Sequence, residues 1–337
     1  MRTTKYIIGV DVSKSKLDYH VTDSLRGVVP NTAEGVSRLL DAASGGHGGI
    51  PHVCLEHTGV YGRLLAEGCH ARGIAFSLLD PKKIYHYKRA RYGMRAKTDR
   101  HDAQLIRDYA EDLKPEPTAP PTRRQTELRE LDNLRALLAG QSAELKAARR
   151  QSTLEPIIAH YDQRIASLGK EVAELQGRIA ALLDADQSTA LLRRRFLEVK
   201  GIGPAAAGAV LIHLGDAIGK VGDKRLASLV GLAPVPDESG NTSLPRHIQG
   251  GRFRVRNALY MAALSASRHN PVLKTFYRRL KDDKRKKSKC ALVAVSRKLV
   301  CLLNRIASDP DFKPIGTRGT PPSSLPAPLS STPLQQK

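Results

Sequence analysis

Lys5-Tyr-Ile-Ile-Gly-Val-Asp-Val12 is an apolar run of strand length that carries a glycine and an aspartate, and its reading decides the N-terminal fold. Ser13 to Lys16 is a polar turn and Leu17 to Thr22 alternates as a second strand, so a hairpin is expected with Asp11 inside its first strand. A third short strand over Gly27–Pro30, a helix after Asn31-Thr32, and a buried strand over His52–Glu56 follow, the last ending in another carboxylate. Residues 60–72 read as a helix, Ile74–Leu79 as a strand, and Thr98–Leu113 as a helix with Thr98 at its N-cap. Strands first, then strand and helix in alternation, predict a mixed α/β domain over residues 1–115.

Pro115, Pro117, Pro120 and Pro121 punctuate a linker, after which helical periodicity takes over. Leu131, Leu134, Leu138, Leu145 and Ala148 keep a heptad broken at Gln141, and the Ser152–Glu155 stretch before Pro156 reads as a cap for a second helix. In that helix Ile158, Tyr161, Ile165, Leu168, Val172, Leu175, Ile179 and Leu182 fill successive a and d positions, which predicts an antiparallel helical hairpin or an intermolecular coiled coil over residues 116–190. A mainly helical third region spans 191–308. It opens on Gly201-Ile-Gly-Pro204, a turn that resembles the hairpin of helix-hairpin-helix DNA-binding modules and equally suits a tight helix-helix corner. Residues 309–337, rich in Pro, Ser and Thr, are expected to be disordered.

The composition bounds the partners. Of 337 residues, 55 are Lys or Arg and 33 Asp or Glu, giving a formal net charge of +22, more than an enzyme of small neutral metabolites needs. A polyanion is the expected partner. Cys54, Cys69, Cys290 and Cys301 lie far apart in no ligand or disulfide spacing, which implies a reducing compartment. Asp11 interrupts the N-terminal apolar run too early for a signal peptide, and no apolar run reaches the roughly 18 residues of a membrane span, so the cytoplasm is expected.

Asp11, Glu56, Asp99 and Asp102 are the acids whose placement suggests chemistry. Asp99 and Asp102, three residues apart on one helix face, have Cβ atoms about 5–6 Å apart. Like charges held so close repel, and Mg²⁺, which takes a few carboxylates and keeps its remaining places for water and phosphate oxygens, would relieve them. Singly, each acid has an ordinary structural role: a helix cap for Asp99, a partner of Arg100 or Arg107 for Asp102, a solvated strand end for Glu56. Jointly, their order is the layout of ribonuclease H-like nucleases.

The match becomes specific in three motifs: Ile8-Gly-Val-Asp-Val-Ser-Lys14, Glu56-His-Thr-Gly-Val-Tyr-Gly62 and Lys97-Thr-Asp-Arg-His-Asp-Ala103. They resemble the successive motifs of the DEDD transposases of bacterial insertion sequences, a family that includes Piv-type DNA invertases and bridge-RNA-guided recombinases. Its N-terminal domain resembles the Holliday-junction resolvase RuvC. The similarity continues through Gly201-Ile-Gly-Pro204, Leu229-Val-Gly-Leu-Ala-Pro234, Ala258-Leu-Tyr-Met-Ala262 and Asn270-Pro271 and covers about residues 5 to 305. The resemblance implies that Asp11, Glu56, Asp99 and Asp102 bind Mg²⁺ and that a serine set before glycine in the C-terminal domain is the nucleophile. Ser239 in Pro236-Asp-Glu-Ser-Gly240 occupies that place, with Glu238 where many members carry a first serine; Ser243, Ser265 and Ser267 are the alternatives.

Residues 246–289 hold 14 Lys or Arg against two acids, so much of the positive charge is concentrated there. Lys14, Lys97, Arg252, Arg254, Arg256, Arg278, Arg279, Lys284, Arg285, Lys286 and Lys287 are the expected nucleic-acid contacts, although contacts of this kind carry no sequence information. Lys82 to Arg100 hold eight more Lys or Arg, interleaved with Tyr85, Tyr87 and Tyr92, which suits stacking on unpaired bases. The resemblance further implies a bridge RNA that selects donor and target DNA, and a homo-oligomer, dimer or tetramer, with a site shared between subunits. Three readings compete: a serine-dependent, Mg²⁺-requiring transposase or Piv-type invertase, a RuvC-like junction nuclease using water, and a basic architectural protein with a coiled coil.

Overall fold

The computed structural model describes residues 5–45, 49–57, 59–93, 102–239 and 242–313, which divide into two compact units, Met1–Pro121 and Thr122–Lys337. In the first unit the strands β1 (Lys5–Val12), β2 (Lys16–His20), β3 (Arg26–Pro30), β4 (Ile50–Glu56) and β5 (Ala75–Leu79) form one sheet in the order β3-β2-β1-β4-β5. β1 sits at the centre, antiparallel to β2 and parallel to β4. Both faces of β1 and β4 are covered, which is why each reads as a near-continuous apolar run.

Alternate residues serve opposite faces. Ile8, Val10, Val12, Val53 and Leu55 pack under α1 (Ala33–Ser44) and α2 (Arg63–Ala71) through Leu39, Leu40, Leu65 and Cys69. Cys54 and Leu79 face the other way, against Ile84 of α3 (Pro81–Tyr92) and Leu105, Ile106 and Tyr109 of α4 (Asp102–Leu113). Thr32 caps α1, its side chain accepting from the Gly35 amide, where the sequence expects a helix start. Sequence reasoning missed α3. Among its described side chains only Ile84 is buried, so its periodicity is faint, although Asp80 at the N-cap and Pro81 in the first turn are a legible start signal. Thr98, the expected cap of α4, lies outside the described residues.

In the second unit α5 (Arg123–Arg149) starts well before the leucine repeat, at a capping box in which Thr122 and Gln125 satisfy each other's backbone. α6 (Glu155–Asp184) begins differently from expectation: Leu154 is its N-cap with no side-chain cap bond, and Pro156 fills the first turn. The two helices form the antiparallel hairpin within the chain, with Arg149 and Asp162 ion-paired at 2.5 Å near the turn. The eight a and d residues of α6 are all half-buried or buried against this partner. Leu134 is a correction to the α5 heptad, since it is 45% exposed and Leu137 beside it 56%.

The root of the hairpin enters the core of the remaining helices: Leu128, Leu131, Leu175, Ile179 and Leu183 pack with residues of α7 (Gln187–Glu198), α8 (Pro204–Leu214), α9 (Asp223–Val230), α10 (Phe253–His269) and α12 (Ser288–Ser308). α11 (Pro271–Lys281) adds Leu273. Gly201 sits at φ +106° in the turn before α8, where a Cβ would come within 2.5 Å of the Ala266 side chain. That glycine is therefore required by the close approach of α10. A two-stranded hairpin, β6 (Pro234–Ser239) and β7 (Thr242–Ile248), interrupts the helices where the sequence reading drew none. No helix among the described residues is long and apolar enough to cross a membrane.

Candidate active site

Asp11 is the last residue but one of β1, and Glu56 is the last of β4. In the parallel register Val10 lies opposite Leu55, which brings Asp11 and Glu56 next to each other on the face covered by α4. Across the hairpin, Asp18 of β2 stands directly opposite Asp11 on that same face. Asp102 reaches the cluster because it is the first residue of α4, and α4 lies unusually close to β1.

Gly9 makes that approach possible. A Cβ there would fall 2.1 Å from the Ala103 carbonyl oxygen and 2.5 Å from the Arg107 amide, both backbone atoms of α4. Gly9→Ala must therefore lift the helix off the strand and carry Asp102 away from Asp11. The expected cost is about 3 kcal/mol, at the upper end of ordinary overpacking, measurable by denaturant titration.

The acids are electrostatically coupled. Burial pushes the Asp11 carboxyl above its ordinary range, and the carboxylates of Asp102 and Asp18 push it further. Glu56 is raised by burial first, then by Asp11, Asp102 and Asp80. Lys88 of α3 opposes this crowding: its Nζ lies 2.6 Å from Asp102 Oδ1. Among the described residues no group of three His, Cys, Asp or Glu side chains is gathered tightly enough to hold an ion. Asp99 and Lys97 lie outside them. The donors are all oxygens whose mutual repulsion a hard divalent cation would relieve, so the residues suit Mg²⁺ in kind.

Sequence reasoning missed Asp18, Lys88 and Asn31. Asp18 is legible once β2 is put in register with β1, while Lys88 shows only as one of many cations. In the sequence Asn31 marks only the approach to a helix. Its Nδ2 donates to the Ser13 carbonyl at 2.9 Å and to the Tyr61 carbonyl at 3.1 Å, tying the turn after Asp11 to the segment after Glu56. Lys14 is exposed in that turn.

Ser239 belongs to the second unit, as the last residue of β6 paired with Thr242 of β7. Ser243 pairs with Glu238. Ser265 is exposed on α10, whereas Ser267 is buried and donates to the Leu264 carbonyl at 3.0 Å. Of the expected nucleic-acid contacts, Arg252 forks onto Asp216 at 2.8 and 2.9 Å and reaches the His213 carbonyl. Arg256 donates to the Gly250 carbonyl and lies over the Phe253 ring. Arg254, Arg278, Arg279, Lys284, Arg285, Lys286 and Lys287 are exposed. On α3, Lys82, Lys83, Tyr85, His86 and Arg89 form an exposed face, with Arg89 over the Tyr85 ring. Tyr87 instead donates to Asp112 at 2.5 Å, and burial followed by that bond pushes its phenol up to about 12, which leaves Tyr85 as the described stacking candidate.

Residues 8–159 match a family described as DEDD transposases of IS110 elements, and residues 193–278 match the transposase IS116/IS110/IS902 family. The pilin gene-inverting proteins of Moraxella lacunata and Moraxella bovis are each 26% identical over 308 residues, which cover 89% of this chain and 94% of theirs. An uncharacterized 43.6 kDa protein of insertion element IS110 from Streptomyces coelicolor is 25% identical over 164 residues, 48% of this chain and 38% of that one.

Proposed function

Because the chain belongs to the IS110-type DEDD transposases, a family that cuts and rejoins DNA, we propose that it does so by phosphoryl transfer through a phosphoserine link to DNA. The observation that carries this reading is the placement of Asp11 and Glu56 side by side at the ends of adjacent parallel strands, on the face covered by the helix that begins at Asp102. The sheet order, with acids at the carboxyl ends of two adjacent parallel strands, supports a ribonuclease H-like assignment for a catalytic domain over 1–115. Residues 116–190 are then an arm, and 191–308 the domain that bears the nucleophile.

Asp11, Glu56, Asp99 and Asp102 would hold Mg²⁺, which when bound polarises the scissile phosphate and stabilises the departing oxygen. The Ser239 oxygen attacks phosphorus, the phosphorus–oxygen bond to the DNA strand breaks, and the serine proton ends on the departing DNA oxygen. Because one phosphodiester replaces another, a DNA hydroxyl later reverses the step with no external energy source. The exposed cations of α10, α11 and the following turn hold the DNA backbone, and the α3 face with Tyr85 suits unpaired nucleic acid. A bridge RNA that selects donor and target, and a dimer or tetramer in which the acids of one subunit meet Ser239 of another, complete the proposal, set in the bacterial cytoplasm. The Moraxella relatives are named for gene inversion, so inversion of a segment is the second outcome the same chemistry allows.

The test is incubation of the purified chain, with any RNA that accompanies it, and DNA spanning the ends of its own element. A Mg²⁺-dependent, chelator-sensitive protein–DNA adduct is expected. Free ends without adduct indicate water as the nucleophile, and no cleavage under any divalent ion rejects the catalytic reading.

A further inference from the structure

Lys88 stands where a metal ion would serve. Its ammonium meets Asp102 Oδ1 at 2.6 Å, with the two side chains 28% and 35% exposed, and it lies close enough to Glu56 to counter the charge of that carboxylate. A lysine in an ion pair is usually a strap between elements, but this one has little to strap. α3 is already fixed to α4 on both sides of Lys88: Tyr87 stacks edge-on to Tyr109 at 5.3 Å and donates to Asp112, and Arg91 pairs with Asp112 at 3.0 Å. Ile84 buries the same helix one turn earlier. Those contacts set the backbone of Lys88, while its four-carbon stem leaves the ammonium free to turn. The ammonium has three N–H donors, and the bond to Asp102 uses one of them.

We propose that Lys88 is a further substrate-binding residue of the acid site: it neutralises Asp102 before a divalent ion binds and turns its ammonium to a non-bridging phosphate oxygen once the ion takes that carboxylate. Such a residue keeps the acids together while no ion is bound and adds a donor to the phosphate when DNA arrives. It also opposes ion binding, because the ion must displace it. The inference rests on the metal-site reading above, and the experiment separates the two.

Mn²⁺ alone is titrated into the full-length chain, without DNA, and free Mn²⁺ is followed by electron paramagnetic resonance. Lys88→Met, which keeps stem length and helix propensity, is expected to bind Mn²⁺ about 1.5- to fivefold more tightly, the range that loss of one competing, partly exposed ion pair implies. With saturating Mg²⁺, its single-turnover cleavage of element-end DNA should nonetheless fall at least about tenfold, and Lys88→Arg should restore part of that rate. Lys88→Gln serves the same comparison if the methionine variant does not fold. Unchanged or weaker Mn²⁺ binding, or undiminished cleavage, overturns the proposal and leaves Lys88 a strap. If Asp11→Asn binds Mn²⁺ as tightly as the parent chain, the metal-site reading itself fails, a result distinct from a normal Asp11 response with an unresponsive Lys88.

Discussion

Replacing Asp11 with asparagine is expected to lower DNA strand cleavage by on the order of a thousandfold, about 4 kcal/mol of barrier, because the proposed mechanism then loses one of its metal-holding carboxylates while the strand keeps its shape. The control is stability. Asp11 is half-buried between Asp18, Glu56 and Asp102, and its carboxyl is raised above its ordinary value by burial and by its neighbours. The folded chain therefore binds this proton more readily than the unfolded chain, and ionisation opposes folding. At neutral pH without divalent ions, the asparagine variant should melt at the same temperature as the parent or higher. As pH falls through the raised range of Asp11, the parent should gain stability relative to the variant, and the gain should be complete below the ordinary carboxyl value. A variant that is inactive and also much less stable at neutral pH would make Asp11 a structural residue.

Ser239→Ala should remove the covalent protein–DNA product entirely while leaving DNA and RNA binding within about twofold, since one hydroxyl contributes little beside the phosphate contacts. Gel mobility under denaturing conditions reads the adduct, and filter binding reads the affinity. Loss of adduct with strand cleavage retained would mean that water replaces the hydroxyl, the RuvC-like outcome. Adduct formation at the parental level would move the nucleophile elsewhere, with exposed Ser265 the first to test. Mixing the Asp11 and Ser239 variants asks whether the site is shared: recovered activity requires acids from one subunit and the hydroxyl from another, and strictly additive loss counts against sharing.

Much of the N-terminal sheet was legible because its strands are short apolar runs bounded by turns, and because period-two alternation assigns each residue a face. The expected hairpin, third strand and two further strands all appear within a residue or two of their positions, and the last two pair in parallel. Other elements were not legible for identifiable reasons. α3 buries so little that no apolar stripe marks it, and the β6–β7 hairpin, Pro-Val-Pro-Asp-Glu-Ser with Thr-Ser-Leu-Pro-Arg-His-Ile, lacks the alternation that signals strands. The heptads of α6 specified a partner helix without saying whose, and the short connection to α5 supplies one from the same chain.

By itself, then, the sequence determined the strands of the N-terminal sheet and their order, the helical hairpin, the concentration of positive charge, and which acids were candidates, since periodicity, capping and composition act over a few residues. Tertiary structure alone decided what those acids face. The register of β1 against β2 and β4 sets Asp18 and Glu56 beside Asp11, and the missing side chain of Gly9 lets α4 deliver Asp102 to them. The packing of α3 on α4 then puts Lys88 at Asp102. Contacts between residues distant in sequence depend on register and close approach, and local pattern carries neither.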